Sequence, residues 1–383
     1  MKVTKELLFT LALLLVSLPL HSRHEGSESG GPFRFGASYT GDFAANLKGG
    51  LRRGSCYLGL ATIDAGLDTE AARLWKNGYI SVKAANTHGA TPSSDLFGDA
   101  QVSSNIEAGN HTFLMELWIR QRFGNVELTA GLQDLNAEFA MSDNGGLYLN
   151  SSFGIMPVIS GNIPAPLFPL TSPGITAVWK ISAESSLAIA LFDGRPTSFD
   201  YNPYNTNWQI KSGDGILAVA EFRQKIRINN LPGEYKFGLF THNHFIERKI
   251  NEKFPDSLHS AIHGGYLIAD QTLWHPGYHA VSAFIQAGYS PSPDSFTGFS
   301  LGLGINVSGI FSREGDDTAG LALTHGWFRG DRGGETAIEF TYRTLLTENV
   351  FVQPDLQYII HPSGKQNLTP HCLAGFLRMG ISF

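Results

Sequence analysis

A period of two governs this chain from shortly after Gly31 to its last residue, Phe383, and few folds accept that. Stretches that alternate apolar and polar side chains lie at about 34–46, 56–68, 78–88, 112–123, 125–139, 174–184, 186–194 and 215–230. They continue at 233–247, 264–275, 279–290, 297–311, 318–330, 334–346, 349–361 and 371–383, with no helical period between them. Such alternation marks a strand with one apolar and one polar face. In 335–343, Ile338, Phe340 and Tyr342 oppose Glu335, Glu339, Thr341 and Arg343; in 350–361, Val352, Leu356, Tyr358 and Ile360 oppose Gln353, Asp355 and Gln357. In 113–122 the apolar set is Phe113, Met115, Leu117 and Ile119, against Glu116, Trp118, Arg120 and Arg122. Charges on the second face suit a wet interior, because an unpaired charge in a dry core is costly. Sixteen strands, an even number, close an antiparallel barrel with both ends on one side. The expected fold is all-β: a 16-stranded antiparallel transmembrane β-barrel with a long loop folded into the lumen.

Composition points the same way. Charged residues make up 16% of the chain, which also carries 43 glycines and 26 phenylalanines, whereas soluble domains carry about 25% charge. The opening MKVTKELLFTLALLLVSLPLHS has a basic start at Lys2 and Lys5, and an apolar core from Leu7 to Leu18 too short to span a bilayer. Residues 1–22 are therefore expected to be a signal peptide and 23–383 a single barrel domain. Losing Lys2, Lys5 and Glu6 with the leader removes one net positive charge and takes the formal charge from −6 to −7. Neither value suggests a nucleic-acid partner. Two cysteines, Cys56 and Cys372, make neither a disulfide scaffold nor a zinc site. With the 34–46 strand between theirs, they are second neighbours about 9.5 Å apart, beyond disulfide reach.

One stretch breaks the period. Residues 140–174, AMSDNGGLYLNSSFGIMPVISGNIPAPLFPLTSPG, are rich in proline and glycine, yet too apolar for a solvated linker. Long unstructured loops in compact domains are uncommon and usually functional. Leu147, Phe153, Met156, Val158, Ile159 and Phe168 need burial, and the inside of a barrel supplies it. This stretch is the expected constriction loop. The other long connections, 89–111, 195–214 and 248–263, also follow odd-numbered strands, and most turns after even-numbered strands are short, the asymmetry of external loops and periplasmic turns.

Several of these pieces resemble the carbohydrate-selective porins of the OprB family. They include YTGDFAANLKGGLRRG at 39–54, YLGLATIDAGLD at 57–68, VSSNIEA at 102–108, ELWIRQRF at 116–123 and AGLQDLNAEFAMSDNGGLYLNSSFG at 130–154. FPLTSPGITAVW at 168–179 and LFDGRP at 191–196 extend the match, and the C-terminal half agrees in pattern rather than motif. The resemblance implies a 16-stranded porin of the Gram-negative outer membrane that passes glucose and related sugars by diffusion. It implies no cofactor, and as partners only small polar solutes and outer-membrane lipid, with room for a homo-oligomer. Asn86-Thr87-His88-Gly89 stands where family members often carry a QRHG-like run, and lacks its arginine. A porin for small anions or other nutrients is the alternative. An outer-membrane enzyme would need a nucleophile, base and orienting group, and no such order is present.

A sugar channel needs hydrogen-bonding and charged side chains at a narrow point, and aromatic faces against the sugar ring. The candidate pore-lining residues are Lys83, Glu116, Trp118, Arg120, Arg122, Gln133, Glu339, Arg343 and Arg378 on the wall. Asp143, Asn144, Asn150 and Ser151 face them from the loop. Each arginine reads equally as a group that pins the loop to the wall; Asp134 and Glu138 read as arginine partners. Arg52 and Arg53 read as solvated, Tyr201, Tyr204 and Trp208 as loop aromatics, and Trp75, Tyr79, Trp179, Trp274 and Trp327 as membrane-interface girdles. His242 with His244, and His259 with His263, lack a readable third metal ligand.

Overall fold

The computed structural model describes residues 31–383 except 212, 252–253, 313–314 and 365–367, and only the backbone of the strand residues within 244–260. The expected leader lies outside the described residues. The first eight strands are β1 (Phe33–Lys48), β2 (Gly54–Asp68), β3 (Gly78–Gly89), β4 (His111–Phe123), β5 (Val126–Gln133), β6 (Ser172–Lys180), β7 (Ser185–Asp193) and β8 (Ile216–Ile228). The second eight are β9 (Leu231–Asn251), β10 (Phe254–Trp274), β11 (Ala280–Tyr289), β12 (Thr297–Ser308), β13 (Asp317–Phe328), β14 (Gly334–Thr347), β15 (Val350–Ile360) and β16 (Cys372–Ser382). Each pairs antiparallel with its sequence neighbours, and β1 pairs with β16, so the sheet closes into a barrel without an edge. Closure leaves the ladders paired strand to strand, apart from the start of β4, as a wall in lipid requires.

The alternation expected from sequence sorts the side chains. Phe43, Ile63, Ile175, Leu239, Leu267, Phe340, Leu356, Leu377 and Met379 are exposed on the outer face. Asp42, Glu221, Asp270, Glu335, Glu339, Gln357 and Arg378 are buried on the inner one. Trp75, Trp179, Trp274 and Trp327 are exposed, as girdle residues should be. Cys56 and Cys372 are both free, with β1 between their strands.

Four expectations need correction. Phe113 and Met115 were assigned to the outer face with Leu117 and Ile119. The ladder pairs Lys83 with Glu116 but Ala84 with Leu114, so Met115 is an extra residue in a bulge. A bulge switches the phase of everything beyond it. Leu117 and Ile119 are exposed, whereas Phe113 and Met115 are buried near Phe168 and Phe199. Tyr79 is no girdle residue: its ring packs 6.0 Å from that of Trp118, centroid to centroid. The stretch 125–139 is not one strand. β5 stops at Gln133 because Asp134 caps a tight turn, accepting a hydrogen bond from Asn136 N at 2.8 Å. The expected loop at 248–263 is instead the ends of β9 and β10, each 21 residues long.

Because β5 ends early, β4 above Leu117 has no β5 partner. The 195–214 connection covers that edge: Leu114 N donates to Tyr204 O at 3.0 Å, and Asn205 Nδ2 donates to Leu114 O at 3.1 Å. Thr171 Oγ1 donates to Met115 O at 2.6 Å.

Candidate functional site

Segment 134–171 supplies its own backbone polar groups with partners from the inner wall. Leu149 N donates to Glu339 Oε1 at 2.6 Å and Asn150 N to Glu339 Oε2 at 3.0 Å. Ala140 N donates to Glu221 Oε2 at 2.8 Å, and Asn144 N and Ser142 Oγ donate to Asp270 Oδ1 at 3.0 and 2.7 Å. Lys236 Nζ donates to Met141 O at 2.8 Å, Gln286 Nε2 to Phe153 O at 2.7 Å, and Gln353 Nε2 to Leu147 O at 2.7 Å. Arg223 pairs with both Glu221 and Glu138, each at 2.6 Å. Charged acceptors on backbone amides make bonds stronger than neutral ones. They give an irregular chain the satisfaction that a ladder gives a strand.

Apolar side chains finish the attachment. Met156, Val158, Ile159 and Ile163 pack on Ala188, Ala190, Phe192, Leu217, Val219 and Tyr266, from β7, β8 and β10. The approach is close enough to require glycine on the wall: a Cβ at Gly320 would lie 2.6 Å from Tyr148 Oη.

A second segment, 90–110, joins it. Ala100 N and Gln101 N donate to the two carboxylate oxygens of Glu335 at 2.8 and 2.9 Å. Gln357 Nε2 donates to Ser103 O at 2.8 Å, and the two segments bond each other through Asn105 N to Leu149 O and Ser151 N to Val102 O. Asp42 and Arg378, opposite each other across the β1–β16 seam, form a buried two-pronged ion pair at 2.7 and 2.8 Å. Ser104 Oγ adds a bond to Asp42 at 2.7 Å. Burial raises the carboxyl of Asp99, and lifts Glu107 to about 7 and Asp134 to about 6.

These bonds come from β8 through β16 and β1. The inner faces of β2 to β5 hold a second group of charges. Asp64, Lys83 and Glu116 are adjacent in the ladder. Trp118 Nε1 donates to Glu116 Oε2 at 2.8 Å, and the Arg120 guanidinium lies 4.7 Å from the centre of the Trp118 ring. Arg120 and Arg122 both pair with Glu127, at 3.4 and 3.0 Å.

The wall thus carries an inner segment tied to one side and a polar ladder on the other. Residues 52–383 match the family described as carbohydrate-selective porin, OprB family. The chain belongs to that family. Among solved structures, the high-pH structure of Pseudomonas putida OprB is 18% identical, with a TM-score of 0.82 over 92% of this chain and 94% of that one. The low-pH structure of the same protein is 17% identical, covering 100% and 98% with a TM-score of 0.60. The OmpF complex of Salmonella typhi with daunomycin is 7% identical, covering 94% and 100% at 0.57. At these identities the likeness establishes the fold. Comparison with curated proteins found no match. This porin is thus a carbohydrate-selective channel of the Gram-negative outer membrane and not an enzyme.

The sequence-derived candidates in this porin divide by what their polar atoms touch. Lys83, Glu116, Trp118, Arg120 and Arg122 come together on β3 and β4. Gln133 is used up in bonding Gly174 O and Thr176, at 2.8 and 2.9 Å. Asn150 caps the turn at Ser152 and reaches Gln357; Asn144 accepts from Ser282 Oγ at 2.7 Å. Glu339 and Arg378 are spent on the segments, as above. Arg343 lies over the Phe351 ring at 4.0 Å. Asp143 is exposed at the tip of the segment, in a cavity of about 630 Å³ that it shares with Glu184, Lys225, Arg227 and Glu234. Ser151 borders a different cavity, described below. Sequence reasoning missed Glu221, Asp270, Gln286 and Glu335, and the whole 90–110 segment. The run VSSNIEA was the available signal for the latter. Glu138 is an arginine partner, but Asp134 is a cap. Tyr201 and Tyr204 present exposed rings, and Trp208 Nε1 bonds its own loop at Asn205 O. His242 is buried against Gly194 O, His263 Nδ1 meets Ser292, and the side chains of His244 and His259 lie outside the described residues. Among the described residues no group of three or more His, Cys, Asp or Glu is placed to hold a metal.

Proposed function

We propose that this porin passes small sugars such as glucose by passive diffusion, through a passage between segment 134–171 and the β2–β5 side of the wall. The observation that carries the reading is the asymmetry of the inner face. Glu221, Asp270, Glu335 and Glu339 on β8 to β14 bond the segments, whereas Lys83, Glu116, Trp118 and Arg120 are arranged on the other side. Side chains of that kind exchange hydrogen bonds with a hydroxylated solute as it sheds water, and the Trp118 ring offers an apolar surface to the sugar ring. Asp143, exposed at the tip of the segment, and Arg343, on β14 over the Phe351 ring, add charge along the route. Residues 1–22 serve as the export signal.

Liposome swelling with glucose, succinate and raffinose tests this together with bilayer conductance. Glucose should enter faster than the bulkier raffinose, and millimolar glucose should reduce the ionic current. Cation preference with no sugar flux refutes the reading, and succinate entering faster than glucose moves it to an anion porin. Lys83→Met should slow glucose entry without changing the fold.

A further inference from the structure

On the side of the long connections, the two inner segments and the start of β12 enclose a cavity of about 310 Å³. We propose that this cleft is a separate external subsite that binds one neutral pyranose before it reaches the passage. The inference rests on the sugar-channel reading and adds to it a site, a ligand class and the residues that hold it.

Three aromatic rings border the cleft on different sides. Phe168 is placed by its N–H donating to Asp134 Oδ2 at 3.2 Å, and is backed by Phe113 with centroids 6.5 Å apart. Phe296 and Phe328 form a pair 4.6 Å apart at the rim, and the Arg332 guanidinium lies 5.2 Å from the centre of the Phe296 ring. Asn105, Glu107 and Ser151 line the same cleft. A pyranose has just this division, with C–H faces that pack on aromatic rings and a rim of hydroxyls that need donors and acceptors. The volume is at the small end of ligand pockets, which start near about 300 Å³. That suits one ring better than an oligosaccharide.

The polar groups are underused by the protein itself. Glu107 takes Ser93 N at the long distances of 3.3 and 3.2 Å and a bond from the Ser93 side chain, which together leave acceptor capacity on its two oxygens. Its carboxyl titrates at about 7, because burial disfavours the charge, so it can donate to or accept from a hydroxyl at neutral pH. Ser151 uses its backbone N–H on Val102 O. Asn105 Nδ2 has only a 3.4 Å bond to Tyr148 O. No lysine or arginine lines the cleft, and Glu107 and nearby Asp99 are acidic. Arg332 stands outside the lining, at the rim over Phe296, so inside the cleft a sugar acid or sugar phosphate meets Glu107, which repels it when ionised.

The test is equilibrium binding of D-glucose to the purified full chain in detergent micelles, followed by saturation-transfer NMR, with gluconate as the anionic arm. Glucose should bind in the millimolar range and gluconate should not. Phe168→Ala and Glu107→Gln should each weaken glucose binding by about tenfold, the size of one lost stacking or hydrogen-bonding contact. If Phe168→Ala does not fold, Ser151→Ala and Phe296→Leu interrogate the same cleft. Glucose binding unchanged in these variants, or gluconate binding as well as glucose, overturns the proposal. The two readings fail separately. Glucose flux with variant-insensitive binding removes the cleft alone. Variant-sensitive binding without flux keeps the cleft and removes passive sugar diffusion.

Discussion

Replacing Glu339 by glutamine tests how segment 134–171 is held. The native carboxylate uses one oxygen for Leu149 N at 2.6 Å and the other for Asn150 N at 3.0 Å, in a fully buried site. Glutamine keeps the shape, but offers a single acceptor and turns an NH₂ toward the second amide. Glu339 also hydrogen-bonds the Asp355 carboxyl, and leaving one buried amide N–H unpaired costs about 1–3 kcal/mol. That loss lowers the ratio of docked to undocked segment by about 5- to 150-fold. Gln353 and Gln357 still grip Leu147 and Asn150, so the release stays local. Single-channel recording of Glu339→Gln should therefore show excursions to a higher conductance, and vesicles should admit raffinose faster relative to glucose. A folded variant with wild-type conductance and an unchanged raffinose-to-glucose ratio would refute the claim that this carboxylate docks the segment.

Other consequences are as direct. Arg378→Met strands the buried carboxylate of Asp42 at the seam, and should cost about 3–5 kcal/mol in urea unfolding from micelles; Asp42→Asn should act in the same direction. Glu107 has a folded value of about 7, above its ordinary one, so its contribution to holding the 90–110 segment is complete below the usual carboxylate range and is lost as pH rises through about 7. Proteolysis within 90–110 should accelerate from pH 5 to pH 8, and Glu107→Gln should weaken that dependence, leaving the part due to Asp99. Ile119→Arg, on the lipid side, should destabilise the barrel by about 2–4 kcal/mol if it lies near mid-bilayer. Phe113→Ala, on the inner side of the bulge, should cost about 3–5 kcal/mol by opening a cavity.

The strands were legible because alternation and a two-faced wall are one physical fact. Ile338 beside Glu339, or Leu356 beside Gln357, states which side is lipid without any knowledge of neighbours. The bulge at Met115 was not legible, since an added residue changes phase and leaves no mark on composition; Phe113 and Met115 were misplaced for that reason. Tyr79 lies near a strand end, where a girdle aromatic and an inward one look alike. The site was harder still. Glu335 and Glu339 read as inward charges, and they are, whereas Glu221 and Asp270 went unremarked; the partners of all four are groups of segments whose path no period encodes. Lys83, Glu116, Trp118 and Arg120 were found because they share one ladder, where the spacing alone puts them side by side.

The upper part of β4 has a further meaning. From His111 to Glu116 one edge of that strand is bound by β3, and the other by a carbonyl, an amide and a hydroxyl borrowed from Tyr204, Asn205 and Thr171. Elsewhere the cylinder is welded by continuous rungs; here it is laced by three ties from residues that belong to no strand. A hoop gives way at its laces. Heat or force applied to this wall should part it first along that short line, beside the external mouth, while the paired strands around it stay joined.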